Sequence, residues 1–586
     1  MAVKLPAGAS RAIVDAMIPL RRPALVVALF LGATVARAQD SALVTVTPCD
    51  GRIVTGFDVH AGRPPFSGTA KTWRSIARAV GLHHATTRAE VVASFMALHV
   101  GRPCTERRRT ESERILRAQP FIAEATVRTV PDGRGGVIAV VETVDEIPVL
   151  ASARFHGLAP EELSLGNSNI GGTGLSAEVR VERGFAYRTG FGAKVKQYSM
   201  FGHPYVAMLD AQRNTLGYLL EGAFEHPFYT DLQRIGWHVG YRSSDDYPRL
   251  KRPARDELAL EVKQERWDAS SLTRVFGTST VGLVGLGASG LRLTPGAEGI
   301  VVSDTGLAAD TGVTLRNRYM PFRSGRLGAI GAVRRVTFRT VRGFDGLRGQ
   351  QDVASGIMTG LFVAKGLPSL GESDLFVSGA AYGGWSASHA LVTALTQWEG
   401  RRGQGENDWD SVIGSGRAAV YVGRPGAVLL VEDRYAGGSR SRLPLQLAIG
   451  DRQGGILGYH GTALAGARRN VVHGEFRLSN PATIRGADVG VAPFAELGSI
   501  WRGDAPYGVT ATRSTLGFSI LAAYPTRSKR LYRADVGFPL TRGNGAGIEV
   551  RFSSEERTRD FWTEPDDVSR ARTGAVPVSL FAWQTR

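Results

Sequence analysis

From about Phe155 to Phe552, apolar and polar residues alternate with a period of two, the pattern of strands whose faces meet different surroundings. Examples are Leu175 to Arg183, Tyr218 to Glu225, Arg234 to Arg242, Leu258 to Gln264 and Leu327 to Arg339, with polar breaks such as Ser243-Ser244-Asp245-Asp246-Tyr247-Pro248 between runs. Charged residues in this region (Glu182, Arg188, Lys194, Arg234, Arg242) would be costly against hydrocarbon and cheap against water, and alternation allows all of them to face a polar lumen. A sheet in lipid must close on itself, because an open edge leaves backbone groups unpaired. The pattern therefore predicts an all-β transmembrane antiparallel β-barrel of about 16 strands over residues 153–554. A secreted sandwich or propeller alternates in the same way, so the rest of the chain must distinguish them.

Residues 48–150 read instead as a small α/β domain. A strand from Gly51 to Val59 leads to helices over Thr72 to Val80, Thr87 to His99 and Glu111 to Ala118. Strands Phe121 to Thr129 and Val137 to Val144 follow, joined by the turn Pro131-Asp132-Gly133-Arg134-Gly135-Gly136. Ahead of this domain, Arg21-Arg22, an apolar run from Ala24 to Val35 and Ala36-Arg37-Ala38 have the layout of an export signal over residues 1–38. Its apolar run is shorter than the roughly 20 residues a membrane helix needs. Export meets an oxidising compartment, where Cys49 and Cys104 would form a disulfide; the alternative is two buried thiols.

Glycine supplies 73 of 586 residues without a collagen period, which suits strands and tight turns. The net charge of +17 is dispersed and interleaved with acids, beyond one block at Arg107-Arg108-Arg109. That distribution argues against nucleic acid and for charged lipid headgroups. Gly285-Leu286-Gly287-Ala288-Ser289-Gly290 satisfies a dinucleotide pattern but lies in strand-like sequence with no helix after it. Neither G-x-S-x-G nor H-E-x-x-H occurs, and His83-His84 lack partners at metal-ligand spacing. The expectation is no enzyme, no metal and no cofactor.

Near the C-terminus, Gly458-Tyr459 closes a Gly-rich segment (Gly450, Gly454, Gly455) and is followed by Glu475-Phe476-Arg477 and Phe494-Ala495-Glu496-Leu497-Gly498. This spacing resembles the inward lid loop and the next two strands of the BamA/TamA superfamily of outer-membrane barrels. A second site, Val341-Arg342-Gly343-Phe344 with Leu347-Arg348-Gly349, matches the family's Arg-Gly-aromatic signature more literally. Strand counting favours the first. Five runs follow Tyr459 (Val471 to Leu478, Ala487 to Leu497, Thr515 to Ala523, Leu531 to Phe538, Gly547 to Phe552), as in the family, whereas about ten follow Arg348. Where the family carries arginine before the Gly-aromatic pair, this chain has Leu457, so Arg452 or Arg477 is the expected basic partner for the wall carboxylates Glu475 and Glu496. Asn167-Ser168-Asn169-Ile170-Gly171-Gly172-Thr173-Gly174 is similar to the motif that opens the first barrel strand in the same superfamily; the plainer reading is a polar turn.

Residues 48–150, through Glu111 to Arg117 and Val137 to Thr143, resemble a polypeptide-transport-associated (POTRA) domain. Residues 555–586 are either a tail at the mouth beside that domain or a final strand; the run Gly547 to Phe552, ending in an aromatic, favours the tail. The resemblance implies an outer-membrane protein with its POTRA-like domain in the periplasm. It also implies that the protein inserts or translocates polypeptides, with outer-membrane lipid, client chains and periplasmic or lipoprotein assembly partners. A passive pore and a surface barrel hydrolase are the alternatives.

Overall fold

The computed structural model describes residues 47–62, 85–156, 159–183, 188–555 (with short breaks at 254–255, 278, 304–305, 481, 485, 525 and 544) and 564–574. The export signal over 1–38, the helix Thr72 to Val80, His83-His84 and the run Ala575 to Trp583 lie outside the described residues.

The N-terminal unit is a four-stranded sheet in the order Pro103–Thr105, Asp50–Gly62, Val137–Asp145, Ile122–Pro131, with the central pair parallel. The helices Ala89–Ser94 and Glu106–Arg117 belong to this unit. The latter starts earlier than its apolar residues suggest. Thr105 caps it through the Arg108 N–H, and Arg109 pairs with Glu106 and Glu113 one turn either side, 2.5 and 2.7 Å away. Val92, Leu98, Leu116, Phe121, Val127, Val137 and Val141 form the core. Cys49 and Cys104 are joined by a disulfide at a Cα–Cα distance of 5.0 Å, tying the chain before the first strand to the edge strand.

From Val149 the chain forms a closed ring of 20 strands, each paired antiparallel to its sequence neighbours, from Val149–His156 to Glu549–Glu555. The count exceeds the expected 16, and some hairpins are as short as two residues. Thr215-Leu216 alone connects Val206–Asn214 to Gly217–His226, and Pro425-Gly426 alone connects Asp410–Arg424 to Ala427–Ser439. With an even number of strands, the chain enters and leaves at the rim that carries the N-terminal unit, here the near rim. Asn167 to Gly174 does not open the first strand. It spans the end of the second barrel strand, Ala159–Ile170, and its near-rim turn to the third, Leu175–Glu182.

Side-chain direction along the ring is that of a membrane barrel. In Phe322–Arg342, Leu327 and Val333 face out at 54% and 44% exposure, while Arg326 and Arg334 face in at 2% and 1%. Arg323 and Arg335 bracket the outward apolar stretch, 335 − 323 = 12 residues apart. That separation is about 40 Å of strand, or about 28 Å of height at a tilt near 45°, close to the thickness of a hydrocarbon layer. Trp267 lies over Gly290 and Trp398 over Gly379 on the outer face toward the far rim, with Phe276 and Trp385 toward the near rim. Wall height is uneven. Leu175–Glu182 and Gly190–Gln197 have 8 residues each, against 21 in Phe322–Arg342. Lys194 and Arg242 face the lumen as expected, beside Asp210 and Glu221. Arg188 and Arg234 fall just before their strands, in connecting segments.

The N-terminal unit is fastened to the near rim by polar contacts. Arg117 grips Asp352 through Nε and Nη2 at 2.8 and 2.9 Å. Glu146 accepts from the Ser528 hydroxyl (2.8 Å) and the Lys529 N–H (3.1 Å), and Arg530 donates to the carbonyls of Ile147 and Val149, both at 2.9 Å. Asp145 accepts from the Thr87 N–H and hydroxyl at 2.7 and 2.8 Å, and Asn169 of the barrel donates to the same hydroxyl at 2.8 Å. Burial pushes the Asp145 carboxyl up from its usual value of 3.8 to about 6. The folded state therefore favours the protonated acid, so this group's stabilisation is complete below pH 3.8 and is lost as pH rises through about 6. We expect protection of the N-terminal unit from protease to weaken by about 2 kcal/mol between pH 4 and 6.5. Asp145→Asn should flatten that dependence; an unchanged pH profile in the variant would refute the assignment.

Candidate functional site

The connection from Ala427–Ser439 to Arg468–Ser479 folds from the far rim into the lumen. Its base is a two-residue ladder, Leu447–Ala448 against Ala465–Gly466. Ile449, Ile456 and Tyr459 of the loop pack on Val471 and Ile500 of the wall, all at most 1% exposed. Gly458 has φ +88°, and a Cβ there would fall 2.8 Å from the Pro539 ring, so both conformation and space demand glycine.

The loop tip is held largely through backbone atoms. The Leu457 N–H donates to Glu496 Oε2 (3.0 Å) and its carbonyl accepts from the Thr515 hydroxyl (2.6 Å). The Gly458 N–H donates to Glu549 Oε2 (2.8 Å), and its carbonyl accepts from the Gly547 N–H (3.0 Å). The Tyr459 hydroxyl donates to the Ser514 carbonyl (2.9 Å) and accepts from the Thr541 N–H (3.2 Å). Leu457 is buried beside Gly537, which leaves it room. The Arg452 carbonyl accepts from Arg551 at 3.2 Å.

Glu475 and Glu496 come together as sequence spacing suggests, with His473 between them: Nδ1 is 3.0 Å from Glu496 and Nε2 is 3.3 Å from Glu475. Glu475 also meets Arg477 and, at 2.9 Å, Arg533, which pairs onward with Asp535 at 3.1 Å. Arg434 lies 3.6 Å from Glu496. Arg477 therefore does pair with a wall carboxylate, but it reaches the opposite insert. Its Nη1 donates to the carbonyls of Phe344 and Asp345 at 2.7 and 3.2 Å.

Those carbonyls belong to the literal Arg-Gly-aromatic match, which forms the near-rim connection between Phe322–Arg342 and Gln350–Gly366. Phe344 is buried edge-on against Tyr421, whose hydroxyl bonds Asp345. Ten strands follow Arg348 and five follow Tyr459, as counted from the sequence. His473, Arg434, Arg533 and Glu549 went unread. The first had a legible signal, since His473-x-Glu475-x-Arg477 puts three ionisable groups on one strand face. The others come from different strands, and only closure of the ring brings them in.

Residues 564–574 form a third insert. The sequence places the tail at the mouth, whereas its short helix Asp566–Ala571 lies in the lumen, with Val568 and Ala571 packed on Ile413, Ala436, Leu445 and Leu447. In the lumen Arg572 pairs with Glu399 at 3.3 Å and the Thr573 carbonyl accepts from Arg326. Among the described residues, no group of three His, Cys, Asp or Glu side chains is arranged to hold a metal ion.

No protein-family model matches the chain, and no curated protein matches it. Among solved structures, BamA from Haemophilus ducreyi lacking POTRA domains 1–3 overlaps 86% of this chain and 84% of its own at 12% identity and a TM-score of 0.36. CdiB from Escherichia coli overlaps 86% and 76% at 10% identity and a TM-score of 0.39, and CdiB from Acinetobacter baumannii 86% and 74% at 8% and 0.37. At such identities and scores these overlaps carry no conclusion about this chain. The barrel rests on the chain's own strand pairing.

Removing Glu475 would strand Arg477 and Arg533 without their shared carboxylate. Glu475→Ala should cost about 3–5 kcal/mol and lower the temperature at which the compact form is lost on heating in detergent gels. Tyr459→Phe, which removes two hydrogen bonds, should cost about 1–2 kcal/mol. Equal mobility shifts for wild type and Glu475→Ala would contradict the pairing.

Proposed function

We propose that the chain is an outer-membrane barrel that inserts or translocates polypeptides, with its N-terminal POTRA-like unit facing the periplasm. The observation that carries the reading is the grip of the inward loop on the ring's closing strand. Gly458 binds Glu549 in Glu549–Glu555, which meets Val149–His156 to complete the barrel. A loop bonded to the closing strand couples the lumen's contents to the junction between the ring's first and last strands. The resemblance of Gly458-Tyr459, Glu475-x-Arg477 and Phe494-x-Glu496-x-Gly498 to an assembly-factor lid supports the same reading. The outward apolar surface supports lipid as a partner, and client chains and periplasmic or lipoprotein partners follow from the proposed role. The work requires no covalent chemistry.

One observation favours a passive barrel instead. The loop carries Leu457 where the resemblance calls for arginine, and the missing guanidinium suits a barrel that keeps the fold without insertase activity. Folding of an unfolded client barrel in liposomes separates the two. We expect vesicles carrying this protein to speed client folding several-fold over empty vesicles. Glu549→Gln, which weakens the loop's hold on the closing strand, should change that rate by at least twofold while the heat-modifiable fold persists. A client rate equal to that in empty vesicles would leave the passive barrel.

A further inference from the structure

The lumenal insert at residues 564–574 meets the wall in a way that ordinary core packing does not. After the helix Asp566–Ala571 the backbone extends, and three consecutive residues each meet the barrel wall. Arg572 donates to Glu564 at 2.8 and 2.6 Å and to Glu399 at 3.3 Å. Thr573 gives its N–H to Glu399 at 2.6 Å and its hydroxyl to the same oxygen at 3.3 Å, while its carbonyl accepts from Arg326. Arg326 is itself clamped by Asp374, at 2.6 to 3.2 Å. Gly574 lies so close to Phe376 that a Cβ would fall 2.1 Å from its ring, which leaves no space for a side chain.

Upstream, the Asp566 N–H bonds Gln453 of the lumenal loop at 2.7 Å, and Gln453 returns a bond to the Asp566 carboxylate at 3.1 Å. Buried filler in a lumen needs only volume and satisfied polar groups. Here Glu564 within the segment orients the guanidinium, while the wall supplies Glu399 to both Arg572 and the Thr573 N–H, a donor for the Thr573 carbonyl and a ring against Gly574, which is sequence-specific recognition. A cavity of about 430 Å³ with mixed lining adjoins the segment; Lys196, Glu221, Arg242 and Arg266 line it together with Glu399 and Arg572, so the ionic contacts border space that water can fill.

We propose that this wall is a peptide-binding site for a segment of the form Arg-Thr-Gly following a short amphipathic turn, and that the chain's own tail is its displaceable resident ligand. Leaving, the tail would open a water-filled path through the barrel. The proposal deepens the client-handling reading, since a client segment of this chemistry would compete for the site. Occupancy and conductance, however, can be measured with no client present.

Deleting the tail outright could prevent folding, because Glu399 would be buried without Arg572. A protease site placed within residues 556–563 lets the chain fold intact before the tail is cut free. In planar bilayers we expect the uncut protein to conduct weakly and the cut, washed protein several-fold more. Synthetic peptide Glu564 to Gly574 should close the path again at micromolar concentration. Peptides with Arg572→Ala or Gly574→Val should bind the cut protein at least tenfold more weakly by fluorescence anisotropy. Conductance unchanged by cutting and washing would overturn the proposal, as would equal binding of the parent and variant peptides. Failure of client folding in liposomes would leave these results untouched.

Discussion

A carboxylate withdrawn from water inside a membrane barrel has to find its counter-charges in the wall. Glu475 is 1% exposed and is answered by Arg477, Arg533 and His473. Such a group costs several kcal/mol to bury and regains it only when its partners are complete. From it the contacts run two ways along one strand face: through His473 and Glu496 to the Leu457 N–H, and through Arg477 to the Phe344 carbonyl. The far-rim loop and the near-rim turn are thus joined by alternate residues of Arg468–Ser479.

Leucine can stand before Gly458, where the resemblance leads one to expect arginine, because backbone donors hold the loop. A guanidinium reaching from a loop is one way to satisfy a wall acid, and a fixed backbone N–H is another with less side-chain freedom to lose. Glu496 and Glu549 each take one such donor from adjacent residues. The remaining charge on Glu496 is met within the wall by His473 and Arg434. The loop is therefore tied to the wall without carrying a cation at its tip into the lumen.

Much of this was legible in the order of residues, and the gaps have physical causes. Period-two alternation gives the strands, and the five after Tyr459 fall where the pattern puts them, from Arg468–Ser479 to Glu549–Glu555. Strands joined by two residues, such as those flanking Thr215-Leu216, escape counting because so short a turn hardly interrupts the alternation. The literal Arg-Gly-Phe match misleads because a tight turn entering a lumen needs glycine and an aromatic anchor at either rim; Gly343 has φ +79° and Gly458 +88°. The lumenal place of the tail is invisible to any local pattern. It depends on Glu399 and Arg326, more than 170 residues earlier in the chain.

The uneven wall has a consequence for the surrounding lipid. A strand of 8 residues, such as Leu175–Glu182 or Gly190–Gln197, rises only about 19 Å when tilted near 45°, against a hydrocarbon layer of about 30 Å. Farther round the ring, Phe322–Arg342 more than matches it. A bilayer cannot leave apolar chains against water, so it must compress beside the short strands and relax beside the tall ones. The protein thus imposes a lateral gradient of membrane thickness, and the thin sector lies next to the strands where the ring begins.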